Sequence, residues 1–205
     1  MTAAALLALP NAAAIAQSPS PGVFETVTRG TAGLAILRRA LSHETVKQAE
    51  FVRRSKINET ITFFCGDNPR PVSHPLLDSL PAAFRDDLRT LLLLFRNAAG
   101  APNIKLRLET VTDDGCRRFH VDNVRLRLVT TYAGAGTQWA PPEVMETAVA
   151  AQQVYDGPLG QLQAGDIALF RGKKCTNGVH IHHRSPPIGG GSSRLVCVID
   201  EACEL

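Results

Sequence analysis

The segment VRLRLVTTY (124–132) alternates apolar and polar side chains, with Leu126 and Leu128 separated by Arg127. A period of two places successive side chains on opposite faces, which indicates a β-strand with one buried face. The segment IKLRLET (104–110) has the same alternation. Three further strand-like segments follow among Gly- and Pro-rich turns: GDIALF (165–170), VHIHH (179–183) and RLVCVID (194–200). This pattern predicts an antiparallel sandwich or barrel with helices packed outside it.

The first part of the chain has a different pattern, which predicts helices around one strand. Residues 31–55 are interpreted as helical, and Ser42 is a suitable N-cap for a helix that ends near Arg54. The next segment, INETITFFC (57–65), is rich in β-branched and aromatic residues and is predicted to be a strand.

Residues 81–98, PAAFRDDLRTLLLLFRNA, give the strongest helix signal, with Gly100 placed to end the helix. The apolar face of this helix is expected to belong to the core. We therefore predict one domain over 23–205, with a helical part at 23–100 and a β part at 101–205.

Composition excludes several classes of protein. The chain has 205 residues, 44% of them hydrophobic and 20% charged, which is typical of a globular domain and not of disorder, collagen or a coiled coil. The net charge of +3 is too small to indicate nucleic-acid binding. No apolar stretch reaches the roughly 18 residues that span a bilayer. Neither a nucleic acid nor a membrane is an expected partner, and the sequence does not predict the oligomeric state.

The N-terminus allows two interpretations. Residues 1–22 are Ala-rich and end in SPSPG, which favours a disordered tail. Ala14 and Ala16 resemble a small-x-small cleavage site, but no Lys or Arg precedes Arg29, so the charged region of a secretory signal is missing. The five cysteines are an odd number without a CxxC pair, which favours reduced thiols in a cytoplasm.

The segment RFHVDN (118–123) contains a candidate metal site. His120 and Asp122 are two residues apart, so on a strand their side chains point to the same face. An imidazole and a carboxylate can then reach one point, and a further histidine would complete a two-His-one-carboxylate set suited to Fe(II). The alternative is a surface histidine beside a turn aspartate.

Three of the six histidines lie within 180–183, and strand parity separates them. If Val179 and Ile181 face the interior, His183 does so too, while His180 and His182 face outward. His183 is therefore the predicted third ligand.

Arg194 lies 11 residues after His183, at the start of the next predicted strand. Its guanidinium could pair bidentately with a carboxylate. A surface charge at a strand edge is the alternative.

This spacing resembles that of the double-stranded β-helix oxygenases that use Fe(II) and 2-oxoglutarate. The resemblance implies that His120, Asp122 and His183 bind iron and that Arg194 binds the far carboxylate of 2-oxoglutarate. It implies no catalytic residue beyond the metal ligands. The implied fold is mainly β with α: a double-stranded β-helix (jelly-roll, cupin-like) barrel braced by the N-terminal helices.

A closer resemblance is to the bacterial family called domain of unknown function 1826. It is carried by TYAGAGTQW (131–139) and HRSPP (183–187), and it spans roughly residues 24–200. That family name carries no established activity.

Three more residues are candidates for the site. Arg127 is a second possible anchor for the cosubstrate if its side chain points inward, although it is solvated if Leu126 and Leu128 face inward instead. Tyr132 could donate a hydrogen bond to the cosubstrate carboxylate, or belong to the core. Trp139 could form a wall of the substrate pocket, or be a structural plug.

Three functions remain open. The first is an Fe(II)/2-oxoglutarate-dependent dioxygenase that hydroxylates an unknown small molecule or protein. The second is a metal-binding protein without turnover that handles zinc, because His180 and His182 could recruit that metal together with His183. The third is a degenerate β-barrel that binds a small molecule or a protein.

Overall fold

The computed structural model describes residues 13–64, 74–113, 116–189 and 192–202. The helices of this part are α1 (Glu25–Thr28), α2 (His43–Arg54), α3 (Pro75–Ser79), α4 (Ala82–Ala99) and α5 (Met145–Ala151). The strands are β1 (Ile15–Ser18), β2 (Leu34–Leu37), β3 (Asn58–Phe64), β4 (Asn103–Val111), β5 (Leu126–Ala133), β6 (Gln138–Trp139), β7 (Gly160–Gln161), β8 (Ile167–Arg171), β9 (His183–Arg184) and β10 (Arg194–Glu201).

The strands form two sheets. The larger sheet has seven strands in the order β1-β2-β8-β5-β10-β4-β3, and the smaller has the order β7-β6-β9. All pairs are antiparallel except β1 and β2. The closed barrel expected from the sequence is absent among the described strands. Each strand of the smaller sheet has only two residues, too few to form ladders that would join the edges of the larger sheet.

The larger sheet buries both faces, and strand parity assigns the side chains to them. Leu106, Leu128 and Leu195 share a buried cluster with Leu91 and other residues of α4. Val129, Val196 and Val198 have the opposite parity, and they form a second cluster with Trp139 of the smaller sheet. The fold is thus a mixed α and β structure around a large sheet, and the candidate site lies on the face opposite the helices.

Both long helices form with the predicted ends. The Ser42 hydroxyl oxygen accepts a hydrogen bond from the Thr45 amide at 3.0 Å and caps α2. Helix α4 ends at Gly100, whose φ of +61° is the left-handed conformation that favours glycine at this position. The strand predicted over 57–65 is also present as β3, although Cys65 lies outside the described residues.

The helix predicted to begin at residue 31 was wrong before residue 43. Residues 34–37, LAIL, form strand β2 in the interior of the large sheet. Ala35 and Leu37 contact the helix side, while Leu34 and Ile36 belong to the opposite cluster. A strand buried on both faces is continuously apolar, so its sequence has no period of two to distinguish it from a helix.

The predicted tail also needs correction from residue 15 onward. Residues Ile15–Ser18 form β1, which pairs in parallel with β2 and so belongs to the sheet. A 3₁₀ turn follows at Pro21–Phe24. Residues 1–12 lie outside the described part. Within the described ranges, no helix has the length and apolar character needed to cross a membrane.

Candidate metal centre

His120 and His183 are held together by their own backbones. Each amide donates to the other residue's carbonyl oxygen at 3.0 Å, which forms an isolated antiparallel bridge. The ring centroids are consequently 4.7 Å apart. His183 belongs to β9, where it pairs with Trp139 of β6. The loop before β5 is thereby joined to the smaller sheet at the two histidines.

Asp122 completes the group. Its Oδ1 lies 3.5 Å from His120 Nε2, and its Oδ2 lies 3.1 Å from His183 Nε2. One donor atom from each of the three residues lies within 4.8 Å of the others. The Asp122 carbonyl oxygen accepts from the Lys173 amide at 2.8 Å, which fixes the backbone at this point. The predicted convergence of the three side chains is therefore present in the structure.

Backbone carbonyls orient both rings. His120 Nδ1 lies 2.8 Å from the Arg118 carbonyl oxygen, and His183 Nδ1 lies 3.4 Å from that of Ile181. When Nδ1 donates to a carbonyl, the Nε2 lone pair is left for a metal ion. Both Nε2 atoms point toward Asp122.

The electrostatics keep Asp122 charged. Burial alone would raise the pKa of its carboxyl, but His120, His183 and Arg127 together hold that pKa well below its usual range. Hydrogen bonding to Asp122 in turn raises the pKa of His120. The centre is a buried carboxylate between two imidazoles.

A metal ion fits this set of donors. Within the described residues, Asp122 Oδ2 is buried without a hydrogen-bond donor, because His183 Nε2, 3.1 Å away, carries a lone pair when Nδ1 holds the proton. A buried carboxylate oxygen without a partner is costly, and a cation would satisfy it. Two imidazole nitrogens and one carboxylate oxygen are the donors that suit Fe(II).

The centre opens into a cavity of about 380 Å³ that also contains Arg194. Arg194 is only 3% exposed, and its Nη2 donates a hydrogen bond to Thr131 Oγ1 at 3.3 Å. Its Nε and Nη1 are buried without a hydrogen-bond partner among the residues that the structure describes. Burial lowers the pKa of Arg194 to about 10, so the guanidinium stays charged near neutral pH. This cavity therefore holds a buried cation suited to a carboxylate.

Arg127 points inward, as parity allowed, but it is not free to anchor a cosubstrate. It donates to Asp122 Oδ1 through Nη1. Its Nε and Nη2 donate to the two carboxylate oxygens of Asp200, at 2.7 and 2.6 Å. Two carboxylates occupy the guanidinium, so its assignment as a second anchor is corrected. Sequence reasoning missed Asp200, although an inward arginine needs a buried partner and β10 carries one acidic residue directly opposite Arg127.

Tyr132 lies on the wrong face of the sheet to bind a cosubstrate. It is fully buried in the cluster on the helix side, and its hydroxyl donates to Asp87 Oδ2 of α4 at 2.6 Å. Its ring packs edge-on against the Phe84 ring, with 4.7 Å between the two ring centroids. The core alternative for this residue is the correct one.

Trp139 is a structural plug and not part of the cavity lining. It is buried in the cluster between the sheets, and its ring occupies the space where a side chain at Gly160 would lie. Trp139 of β6 pairs with His183 of β9, so the packing of Trp139 helps to hold the backbone of this predicted metal ligand in place.

The histidine-rich segment is less regular than predicted. Only His183 and Arg184 are in a strand, and Val179 is exposed, so the alternation holds for Ile181 and His183 alone. His180 and His182 do not join the cluster of metal-ligand candidates in the described residues. His182 Nδ1 instead lies 3.2 Å from the sulfur of Met145.

Comparison with protein families identifies the chain. Residues 18–200 match the model described as "Protein of unknown function (DUF1826)". The chain belongs to the DUF1826 family. No curated protein sequence matches this DUF1826 chain.

Solved structures show what kind of fold this DUF1826 protein has. One similar structure is dioxygenase for auxin oxidation 1 from Arabidopsis thaliana in a complex with 2-oxoglutarate, with a TM-score of 0.52, 10% identity and coverage of 93% of this chain and 92% of that one. Another is a Pseudomonas putida prolyl-4-hydroxylase, with a TM-score of 0.51, 13% identity and coverage of 88% and 92%. These identities show a shared fold and no more.

Proposed function

We propose that this DUF1826 protein is an Fe(II)/2-oxoglutarate-dependent dioxygenase that hydroxylates a substrate bound in the cavity. The observation that carries the proposal is Arg194. Two of its buried donors have no hydrogen-bond partner in the described part of the chain, and they lie in the cavity that His120 and His183 of the centre also line. A metal site alone would not need a buried cation without a carboxylate partner.

The residues of the chain have distinct roles in this proposal. His120, Asp122 and His183 hold Fe(II), which together with 2-oxoglutarate supplies the activation of dioxygen. Arg194 pairs with the far carboxylate of 2-oxoglutarate through its buried guanidinium. The side chains of Val129, Val196 and Val198 line the cavity beside these groups and exclude water from part of it.

The cavity suits a small molecule or a single side chain of a larger substrate. Its volume of about 380 Å³ is near the low end of ligand pockets, which range over roughly 300–1,000 Å³. We propose a cytoplasmic location, which the free thiols of Cys116, Cys175 and Cys197 in the described part of the chain support.

The zinc-handling alternative receives no separate support from the geometry. His180 and His182 were its basis, and both stand apart from the three candidate ligands. Arg194 favours the oxygenase, since a zinc site without turnover has no use for a carboxylate-binding cation.

The direct test is turnover of 2-oxoglutarate. Purified protein loaded anaerobically with Fe(II) is exposed to air with excess 2-oxoglutarate, and succinate is measured over time. We expect succinate in excess of the protein, dependent on Fe(II), and none from His183→Ala under the same conditions. Equal succinate from wild type and His183→Ala, or none from either while iron is bound, would overturn the proposal.

A further inference from the structure

Gln152 has a backbone conformation that its side chain does not favour. It follows α5 with φ 55° and ψ −120°, a combination found in tight turns and usually occupied by glycine. In the described residues, the only other non-glycine residue with positive φ is Lys56. Such conformations persist where the surroundings hold the residue in place, and they cluster at functional sites.

The side chain of Gln152 holds the residue next to His120. Its Oε1 accepts a hydrogen bond from the Phe119 amide at 2.8 Å. Its Nε2 lies 3.5 Å from the Phe119 carbonyl oxygen. The carboxamide thus contacts both backbone polar groups of Phe119, as a neighbouring strand would. Phe119 itself lies in a loop, without a regular strand partner.

Arg184, the residue after His183, holds Gln152 in turn. It donates through Nη1 to the Gln152 carbonyl oxygen and through Nε to Gln138 Oε1, both at 3.0 Å. Its guanidinium also lies over the Phe119 ring, 4.5 Å from the centroid. Arg184 is buried, and these contacts connect the neighbours of the two histidines.

We propose that Gln152, anchored by Arg184, is a positioning residue that fixes His120 at its distance from His183. The inference rests on the proposed metal centre and extends it by residues outside that centre. The strained backbone directs the carboxamide at Phe119, and the backbone of Phe119 sets the direction from which His120 enters the centre. His120 is the more exposed of the two histidines, so it depends more on such a support.

The test separates positioning from stability. Gln152→Gly removes the carboxamide and also relieves the backbone strain, so the melting temperature should be unchanged or higher. Affinity for Mn(II), measured by electron paramagnetic resonance, should fall by about 10-fold, because residues that orient metal ligands have effects of this size. Gln152→Glu keeps the acceptor for the Phe119 amide and should bind Mn(II) more tightly than the glycine variant.

Lys56→Gly is the matched control. It relieves a similar positive φ between α2 and β3, away from the cavity lining. We expect it to leave Mn(II) affinity unchanged. Hydrogen exchange supplies a readout without metal: the Phe119 amide should be protected in wild type and Gln152→Glu, and should exchange faster in Gln152→Gly.

The outcomes distinguish the positioning role of Gln152 from the metal centre itself. If wild type and Gln152→Gly bind Mn(II) equally, the positioning role is overturned and the metal centre stands. If wild type binds no Mn(II), both the proposed function and this role fail, whatever the exchange of the Phe119 amide.

Discussion

Arg127 places one half-buried cation between two carboxylates, and it makes the predicted metal ligands unequal in their effect on stability. Asp122 is buried and accepts from Arg127, whereas His120 is partly exposed and its ring contacts Asp122 and the Arg118 carbonyl oxygen. Removing the Asp122 carboxylate takes away one of the two carboxylates that accept from Arg127 and leaves Asp200.

We therefore expect Asp122→Ala and His120→Ala to abolish metal binding with different costs in folding. In the metal-free protein, Asp122→Ala should lower the free energy of unfolding by about 2 kcal/mol, as for a buried charged hydrogen bond that loses its partner. His120→Ala should cost less than about 1 kcal/mol. Urea unfolding measures both, and equal losses would contradict the role assigned to Arg127.

Strand parity accounts for what could be predicted at the residue scale. Parity predicted that His183, and not His180 or His182, would join His120 and Asp122. This prediction holds because Ile181 and His183 do share a buried face. The same rule excludes Tyr132 once Arg127 points inward, since the two residues have opposite parity on β5. No local pattern identifies Gln152, because its position depends on contacts with Phe119 and Arg184, which are distant in sequence.

The end of α4 shows how one element is determined locally. Gly100 has a φ of +61°, and a Cβ added to it would meet no atom within 4 Å. The cost of a side chain here comes only from the backbone conformation. Gly100→Ala should therefore lower the free energy of unfolding by about 1 kcal/mol.

Gly189→Ala is the control for this prediction. A Cβ at Gly189 also meets nothing within 4 Å, and the φ there is not positive. We expect a change within about 0.5 kcal/mol by urea unfolding. A loss at Gly100 no larger than that at Gly189 would contradict the left-handed cap.

At this scale the sequence predicts α2 and α4 well, because caps and a period near 3.6 are local signals. It fails at β2, where Leu34–Leu37 contact different clusters on the two sides of the sheet. That segment is a strand because β1 and β8 pair with it on either side. Strand β8 is distant in sequence, and β1 has only a weak strand pattern.

For the whole molecule, the two buried clusters share the seven-stranded sheet, and this predicts cooperative unfolding. Leu128 and Val129 are adjacent on β5 but belong to opposite clusters. Trp139, the single tryptophan, reports on the cluster between the sheets, whereas circular dichroism at 222 nm reports mainly on the helices.

Thermal unfolding followed by Trp139 fluorescence and by circular dichroism should therefore give coincident transitions. Two separate midpoints would show that the helical part and the β part unfold independently, against the prediction of one domain over 23–205.

The binding of 2-oxoglutarate tests the proposed cavity most directly. The measurement is isothermal titration of 2-oxoglutarate into the Mn(II)-loaded protein without oxygen, with Arg194→Ala and the control Arg107→Ala. Arg107 lines the same cavity, but its side chain is half-exposed. Its Nε lies 3.6 Å from Glu109 Oε2, so it already has a carboxylate partner. We expect wild type and Arg107→Ala to bind alike, and Arg194→Ala to lose binding while it retains Mn(II). Equal affinity in Arg194→Ala, or no binding by the Mn(II)-loaded wild type, would contradict the assignment of this cavity to 2-oxoglutarate.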